Sequence, residues 1–378
     1  MTDRSKHLLS QKKSVLIGII CIGIMVAVFS VSQTLGRTLK SKIINCGTEE
    51  NIIMLQEGAD APMFSILSPE TYKFVKTVPH IHKENGKLII TRCLQLASLV
   101  LGHFTMVRGV DPTYYKMYDQ YRLIEGRLPA NKNEVIIGSL LPTKVKKKFK
   151  IGDTITFEGK QWKIVGIFED KLTVMGSGIV AKLEDLQETT GRDSFSYISL
   201  RADAPKNMEI IRQYIKKTYD ALLMETPEVP GVIVEPETKY YLNEAEAINP
   251  LVMFLNLVNI LYLIVGTLII YNIADSIYPV KKPYPRKTSG LLRGSKRTIT
   301  LLCMSEILAI ALIGGIFGTI VTLLLRYVSV NFMMMTIYIK VGITTILMGI
   351  FLISLLALFS AALPIKRSIV NLADACLS

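Results

Sequence analysis

Histidine and cysteine are scarce in this 378-residue chain, four and five residues respectively. His80 and His82 would share one face of a strand, but no nearby cysteine or third histidine completes a metal-binding set, so the pair reads as part of a surface loop. No Ser/His/Asp or Cys/His grouping points to nucleophilic catalysis, and no enzymatic or metal site is expected. A phosphate-cradling Gly-x-x-x-x-Gly-Lys-Ser/Thr loop is also missing: residues 290–297 hold two glycines at the wrong spacing and follow no strand. Neither nucleotide hydrolysis nor a resident cofactor is therefore expected of the chain itself.

Charge is absent from four long stretches, 14–36, 247–274, 307–325 and 341–365, the third extending past Glu306 to residue 298. A hydrocarbon core needs about 20 helical residues to cross, and a helix satisfies its own backbone there, so four transmembrane helices are expected. Arg4, Lys6, Lys12 and Lys13 precede the first stretch, which raises a cleaved signal peptide as the alternative. Its apolar run is too long for that, and no small-x-small cleavage site follows. One stretch before a polar region of about two hundred residues and three after it describe a membrane protein whose bulk lies outside the bilayer.

Basic residues set the orientation. Four precede the first helix and seven lie in 275–297, whereas the loop 326–340 has Arg326 and Lys340 at its edges. The positive-inside rule puts both termini (1–13 and 366–378) and the loop 275–297 in the cytoplasm, with 37–246 outside. The net charge of +13 follows this topology: the outer region has 29 basic against 27 acidic residues, the cytoplasmic segments 13 against three. The excess faces lipid headgroups, and no nucleic-acid partner is expected. Five lysines between Lys144 and Lys150 lie outside, either as a solvated face or in contact with an anionic surface. Cys21 and Cys303 lie in or beside membrane helices and Cys376 in the cytoplasmic tail. Only Cys46 and Cys93 remain for a disulfide, and nothing in the sequence shows that they approach.

The outer region reads as mixed α/β. Strands are expected at 51–55, 88–91, 134–138, 154–157, 161–168, 178–181 and 197–200, and helices at 69–78 behind Ser68, at 183–189 and at 207–223. Glu158-Gly159-Lys160 suits a hairpin turn, since glycine tolerates positive φ. Strand and helix alternate near both ends, which suggests a small α/β lobe with a β-rich segment inserted.

Five segments, Gly109-Val110-Asp111-Pro112-Thr113-Tyr114-Tyr115, Glu125-Gly126-Arg127-Leu128, Asn133-Glu134-Val135-Ile136-Ile137-Gly138, Ile151-Gly152-Asp153-Thr154-Ile155 and Trp162-Lys163-Ile164-Val165-Gly166-Ile167, resemble the extracytoplasmic core of MacB/FtsX-type ABC transporter permeases. The resemblance covers nearly the whole chain. It implies a type VII ABC transporter membrane subunit: four transmembrane helices, and between the first two an extracytoplasmic domain with a porter-like lobe and an inserted β-rich lobe. It also implies helices one and two continuing outward as a stalk, for which 34–44 and 240–248 are the candidates. Its mechanism is mechanotransmission. A separate cytoplasmic ABC ATPase dimer binds ATP, and the helices relay its motion outward for export, extrusion or release of a substrate. A second permease subunit, identical or different, completes the assembly, with an extracytoplasmic adaptor or substrate protein as a further partner.

The family's coupling helix after the second membrane helix corresponds here to Gly290, Leu291, Leu292 and Arg293 with Lys296 and Arg297, three residues short of the family pattern and without the usual glutamate. Pro279, Pro283 and Pro285 upstream oppose a continuous helix. The chain is then a divergent half of a heterodimer, docks on its ATPase by an unusual route, or has lost coupling and acts as a membrane-anchored extracytoplasmic interaction or regulatory protein, such as a cell-wall hydrolase activator. Gly314, Gly315 and Gly318 give the third helix a small-residue packing face. Glu306 either reaches the cytoplasmic interface near Lys296 and Arg297 or contacts a partner helix.

Overall fold

The computed structural model describes residues 3–118, 121–170, 173–225, 230–277, 296–332 and 334–375. It divides into a helical unit, Met1–Arg37 with Asn249–Val328 and Tyr338–Ser378, and an α/β unit, Thr38–Ile248 with Ser329–Ile337. The first helix, α1, runs unbroken from Asp3 to Ile44 and contributes to both.

The α/β unit continues with β1 (Asn51–Gln56), α2 (Pro69–Val75), the short pair β2 (Lys83–Glu84) and β3 (Lys87–Leu88), and the long hairpin β4 (Ile90–Val100) and β5 (His103–Val110). Then come α3 (Tyr114–Met117), β6 (Arg122–Gly126), β7 (Glu134–Gly138), α4 (Leu141–Val145), β8 (Thr154–Phe157) and β9 (Lys160–Glu169). β10 (Ile179–Lys182), α5 (Leu183–Thr190), β11 (Tyr197–Arg201), α6 (Met208–Glu225), β12 (Val232–Pro236) and α7 (Glu237–Glu246) complete the order up to the second membrane helix. Ser68 caps α2 by accepting the Thr71 amide at 3.3 Å, which satisfies one of the donors a helix start leaves free.

Apart from the β2–β3 pair, these strands form one sheet, β12-β1-β11-β4-β5-β10-β7-β9-β6, with β8 paired to β9. Here the structure departs from the two lobes expected. β10 pairs parallel with β5 on one side and antiparallel with β7 on the other, so the β-rich segment extends the same sheet. Strand alternation sends Leu94 and Leu96 of β4 into one core and Cys93 into the other. The β8–β9 turn forms at Glu158 and Gly159, both at positive φ, and Trp162 stacks on Phe157 with ring centroids 4.8 Å apart.

In the helical unit α8 (Asn249–Ile277), α9 (Lys296–Leu325) and α10 (Ile343–Ala375) join α1. Four helices, Lys12–Ile44, Asn249–Ile277, Thr300–Leu325 and Ile343–Arg367, are long and apolar enough to cross a membrane. Their core uses small residues, Ala274, Ala311, Ala357 and Ala361, beside Ile22, Val26 and Ile353. The second helix does not continue outward as expected for 240–248. α7 closes at Ala247, and α8 starts afresh at Asn249-Pro250, because proline brings no amide to continue the previous ladder. The loop 326–340 contains a two-stranded sheet of its own, β13 (Ser329–Phe332) and β14 (Met335–Tyr338).

Candidate functional site

Where α1 ends and α7 begins, one carboxylate gathers the chain. Glu237 is the first residue of α7 and is fully buried. Its Oε1 accepts from the Tyr118 hydroxyl at 2.5 Å and Ser199 Oγ at 2.7 Å; its Oε2 accepts from Thr48 N at 3.2 Å, Thr48 Oγ1 at 3.1 Å and Asn51 Nδ2 at 3.3 Å. Burial raises its pKa above the ordinary carboxylate value, against the pull of these donors. Gly47, three residues past α1, has no room for a side chain: a Cβ would lie 2.7 Å from the Glu237 carbonyl oxygen. The chain leaving α1 and the chain starting α7 are thus held backbone to backbone.

The segments carrying the family resemblance turn out to hold the sheet together. Asp111 accepts from Thr91 Oγ1 and the Thr113 amide at 3.0 Å each, and from the Arg92 amide at 3.0 Å. Glu134 forms a forked ion pair with Arg127 and accepts the amides of Ala130 and Asn131 at 2.9 Å; the Arg127 guanidinium holds its carboxyl far below the usual range. Gly126, at φ 79°, crosses β9 so closely that a Cβ would lie 2.2 Å from the Val165 carbonyl oxygen. Arg108 is buried with no carboxylate in ion-pair reach among the described residues. It donates instead to Gln95 Oε1 at 2.8 Å, Tyr114 at 2.8 Å and Tyr121 at 3.0 Å. Burial keeps both tyrosines protonated by pushing their pKa values up. These groups are saturated by one another, which is architecture and not chemistry.

Cys46 and Cys93 are both buried, unbonded thiols, and the disulfide left open on topology is not formed. Cys46 sits just past α1 and donates to the Lys42 carbonyl at 3.4 Å, while Cys93 is fixed within β4; burial pushes both thiols up, Cys93 to about 11. The lysine cluster also differs from a uniform solvated face. Lys146, Lys147, Lys148 and Lys150 are exposed, but Lys144 is buried and donates to the Met334 carbonyl at 2.6 Å. His80 lies 3.4 Å from Asp203, and the described residues contain no cluster fit to hold a metal.

Within the helical unit, Gly314 and Gly318 face Gly23 of α1. A Cβ on Gly318 would lie 2.5 Å from the Gly23 carbonyl oxygen, and one on Gly314 3.0 Å from that of Ile19. Gly315 faces Ile350 of α10 instead, at 3.1 Å. Glu306 lies on an exposed face of α9. Two amides missed in the sequence join α1 to α8: Ser32 Oγ donates to Asn259 Oδ1 at 2.8 Å, and Gln33 Nε2 to Asn256 Oδ1 at 2.9 Å. Their signal was a pair of asparagines three apart inside an uncharged run. Of the coupling candidates, Gly290, Leu291, Leu292 and Arg293 lie outside the described residues, and Lys296 and Arg297 open α9.

The family model of the MacB-like periplasmic core domain matches residues 14–218. Among solved structures, the extracellular domain of the noncanonic ABC-type transporter YknZ from Gram-positive bacteria is 14% identical with a TM-score of 0.39, covering 49% of this chain and 98% of its own. The periplasmic region of MacB from Actinobacillus actinomycetemcomitans is 11% identical with a TM-score of 0.40, covering 52% and 93%. No curated protein matches.

Proposed function

Because the chain belongs to the MacB/FtsX-type ABC transporter permease family, we propose that it is a permease subunit that relays the motion of a separate cytoplasmic ATPase to its extracytoplasmic domain, for export, extrusion or release of a substrate. α1 carries this reading. It is one helix of 42 residues whose middle turns pack in the helical core through Ile22, Met25 and Val26 and whose last turn packs in the α/β core through Ile43. A displacement at one end of a stiff helix reaches the other, where Thr48 and Glu237 hand it to α7 and β1. ATP is bound by the partner ATPase, and both termini lie in the cytoplasm with the lysines and arginines of 275–297. A second permease subunit and an extracytoplasmic adaptor or substrate protein complete the assembly.

The prolines at 279, 283 and 285 and the missing glutamate favour a second reading, a membrane-anchored extracytoplasmic interaction protein with little ATPase coupling. Purification of the detergent-solubilised protein from its native membrane, with mass spectrometry of what stays bound, separates the two. The permease reading expects an ATPase carrying a Walker motif, lost when Leu292 and Arg293 are replaced by alanine. Recovery of envelope proteins alone would establish the anchored reading.

A further inference from the structure

The stretch between α9 and α10 is grouped with the α/β unit, although both helices belong to the helical one. Two side chains from neighbouring segments hold it. Lys144, in the last turn of α4, donates its ammonium to the Met334 carbonyl at 2.6 Å. Ser177, fully buried at the end of a 3-10 turn (Val174–Ser177), approaches the same carbonyl at 3.5 Å and accepts the Thr336 amide at 3.0 Å. Thr336 Oγ1 in turn donates to Asn331 Oδ1 at 2.8 Å, tying β14 to β13, and Ile337 is buried.

Lys144 is the unusual member. Its side chain is 1% exposed and no acid pairs with it among the described residues, so burial pulls its ammonium down to about 8. A buried lysine usually has a carboxylate to offset the loss of water; here the partner is a single backbone carbonyl supplied by another part of the chain. The neighbouring lysines are exposed and would be as soluble without it.

We propose that Ser329–Ile337 is a strap by which α9 and α10 pull on the extracytoplasmic domain, pinned at the Met334 carbonyl by Lys144 and at the Thr336 amide by Ser177. α1 is then not the sole input to that domain, the α9–α10 pair being another. This inference rests on the permease reading, since a strap between static parts would relay nothing.

The test uses the full chain with its co-purified ATPase in lipid nanodiscs, hydrogen exchange being followed by mass spectrometry. In the wild type the Thr336 amide is protected, and adding a non-hydrolysable ATP analogue alters exchange in peptides spanning 174–182. Lys144→Met, which keeps the stem and removes the donor, and Ser177→Ala each speed exchange of residues 329–337 at least tenfold and cut the nucleotide response at 174–182 at least threefold. The buried single tryptophan, Trp162, reports through its fluorescence that the domain stays folded in both variants. Unchanged protection, or an undiminished nucleotide response, in both variants overturns the strap and leaves the permease reading standing. A wild type without any nucleotide response overturns both.

Discussion

α1 is gripped at its middle and just past its C-terminal end, and the two grips are built differently. In the helical unit Gly23 meets Gly314 and Gly318, an apolar seam in which backbones touch because nothing intervenes. In the α/β unit Gly47 touches the Glu237 backbone just as closely, but there a carboxylate and five hydrogen bonds surround the contact. Lipid offers no hydrophobic drive for helices to associate, so small residues and close packing must suffice. Such a seam has no directional bond to break when one helix moves along another. A buried carboxylate tolerates little displacement, because every lost donor leaves an unsatisfied group. The contact in the helical unit can therefore slide more easily than the one at Glu237.

The comparison breaks first at Glu237. Glu237→Leu leaves Asn51 and Thr48 without this acceptor and Tyr118 and Ser199 with only each other, 3.0 Å apart, and should cost roughly 2–4 kcal/mol. Denaturant unfolding followed by Trp162 fluorescence reads this in the α/β unit alone. A loss under about 1 kcal/mol would show that the clamp is a bystander.

Gly47→Ala comes next, at about 3 kcal/mol, because the added Cβ meets backbone atoms of Glu237 at 2.7 and 2.8 Å, which no rotamer change relieves. Gly318→Ala sharpens the contrast in the helical unit. Its Cβ meets the Gly23 carbonyl oxygen at 2.5 Å, but the helices can separate slightly in lipid, and about 2 kcal/mol is expected. Maleimide labelling of the buried Cys303 should accelerate in Gly318→Ala with the Trp162 signal unchanged, and the reverse should hold for Gly47→Ala. Equal effects of both variants on both probes would mean that the grips are not separate.

How much of this was legible in the sequence depends on the kind of signal. The uncharged runs and the Glu158-Gly159 turn were plain, because each follows from local chemistry. The β4–β5 hairpin was not: its turn puts Leu101 at φ 47°, a conformation leucine rarely takes, leaving Gly102 as the lone cue. Glu237 reads locally as an acid at a helix start, and its burial comes from Tyr118 and Ser199, 119 and 38 residues away. Lys144 was hidden in a lysine run, where one buried member looks like its exposed neighbours. The five family segments all lie within the residues 14–218 that the family model matches, yet Gly126, Arg127, Glu134 and Asp111 prove to be joints of the sheet, and the coupling residues 290–293 lie outside the described residues.

The smallest effect separates two buried glutamates of the same domain. Glu134 has Arg127 beside it and its carboxyl is held below 4.5, whereas Glu237 has hydroxyls and amides only and is pushed above 4.5. For Glu134 the unfolded chain binds more protons than the native one below pH 4.5, so its contribution is full above that pH and is lost as pH falls. For Glu237 the native chain holds the extra proton from about pH 4.5 upward, so stability falls as pH rises through that window. Each tenfold displacement of proton affinity is worth about 1.4 kcal/mol. Glu237→Gln should therefore close its stability gap to the wild type, or overtake it, as pH rises above 4.5, and Glu134→Gln should close its gap as pH falls below 4.5. Parallel stability curves for Glu237→Gln and wild type between pH 4.5 and 8 would show that the Tyr118, Ser199 and Thr48 donors outweigh burial, and that the clamp carries a fixed charge.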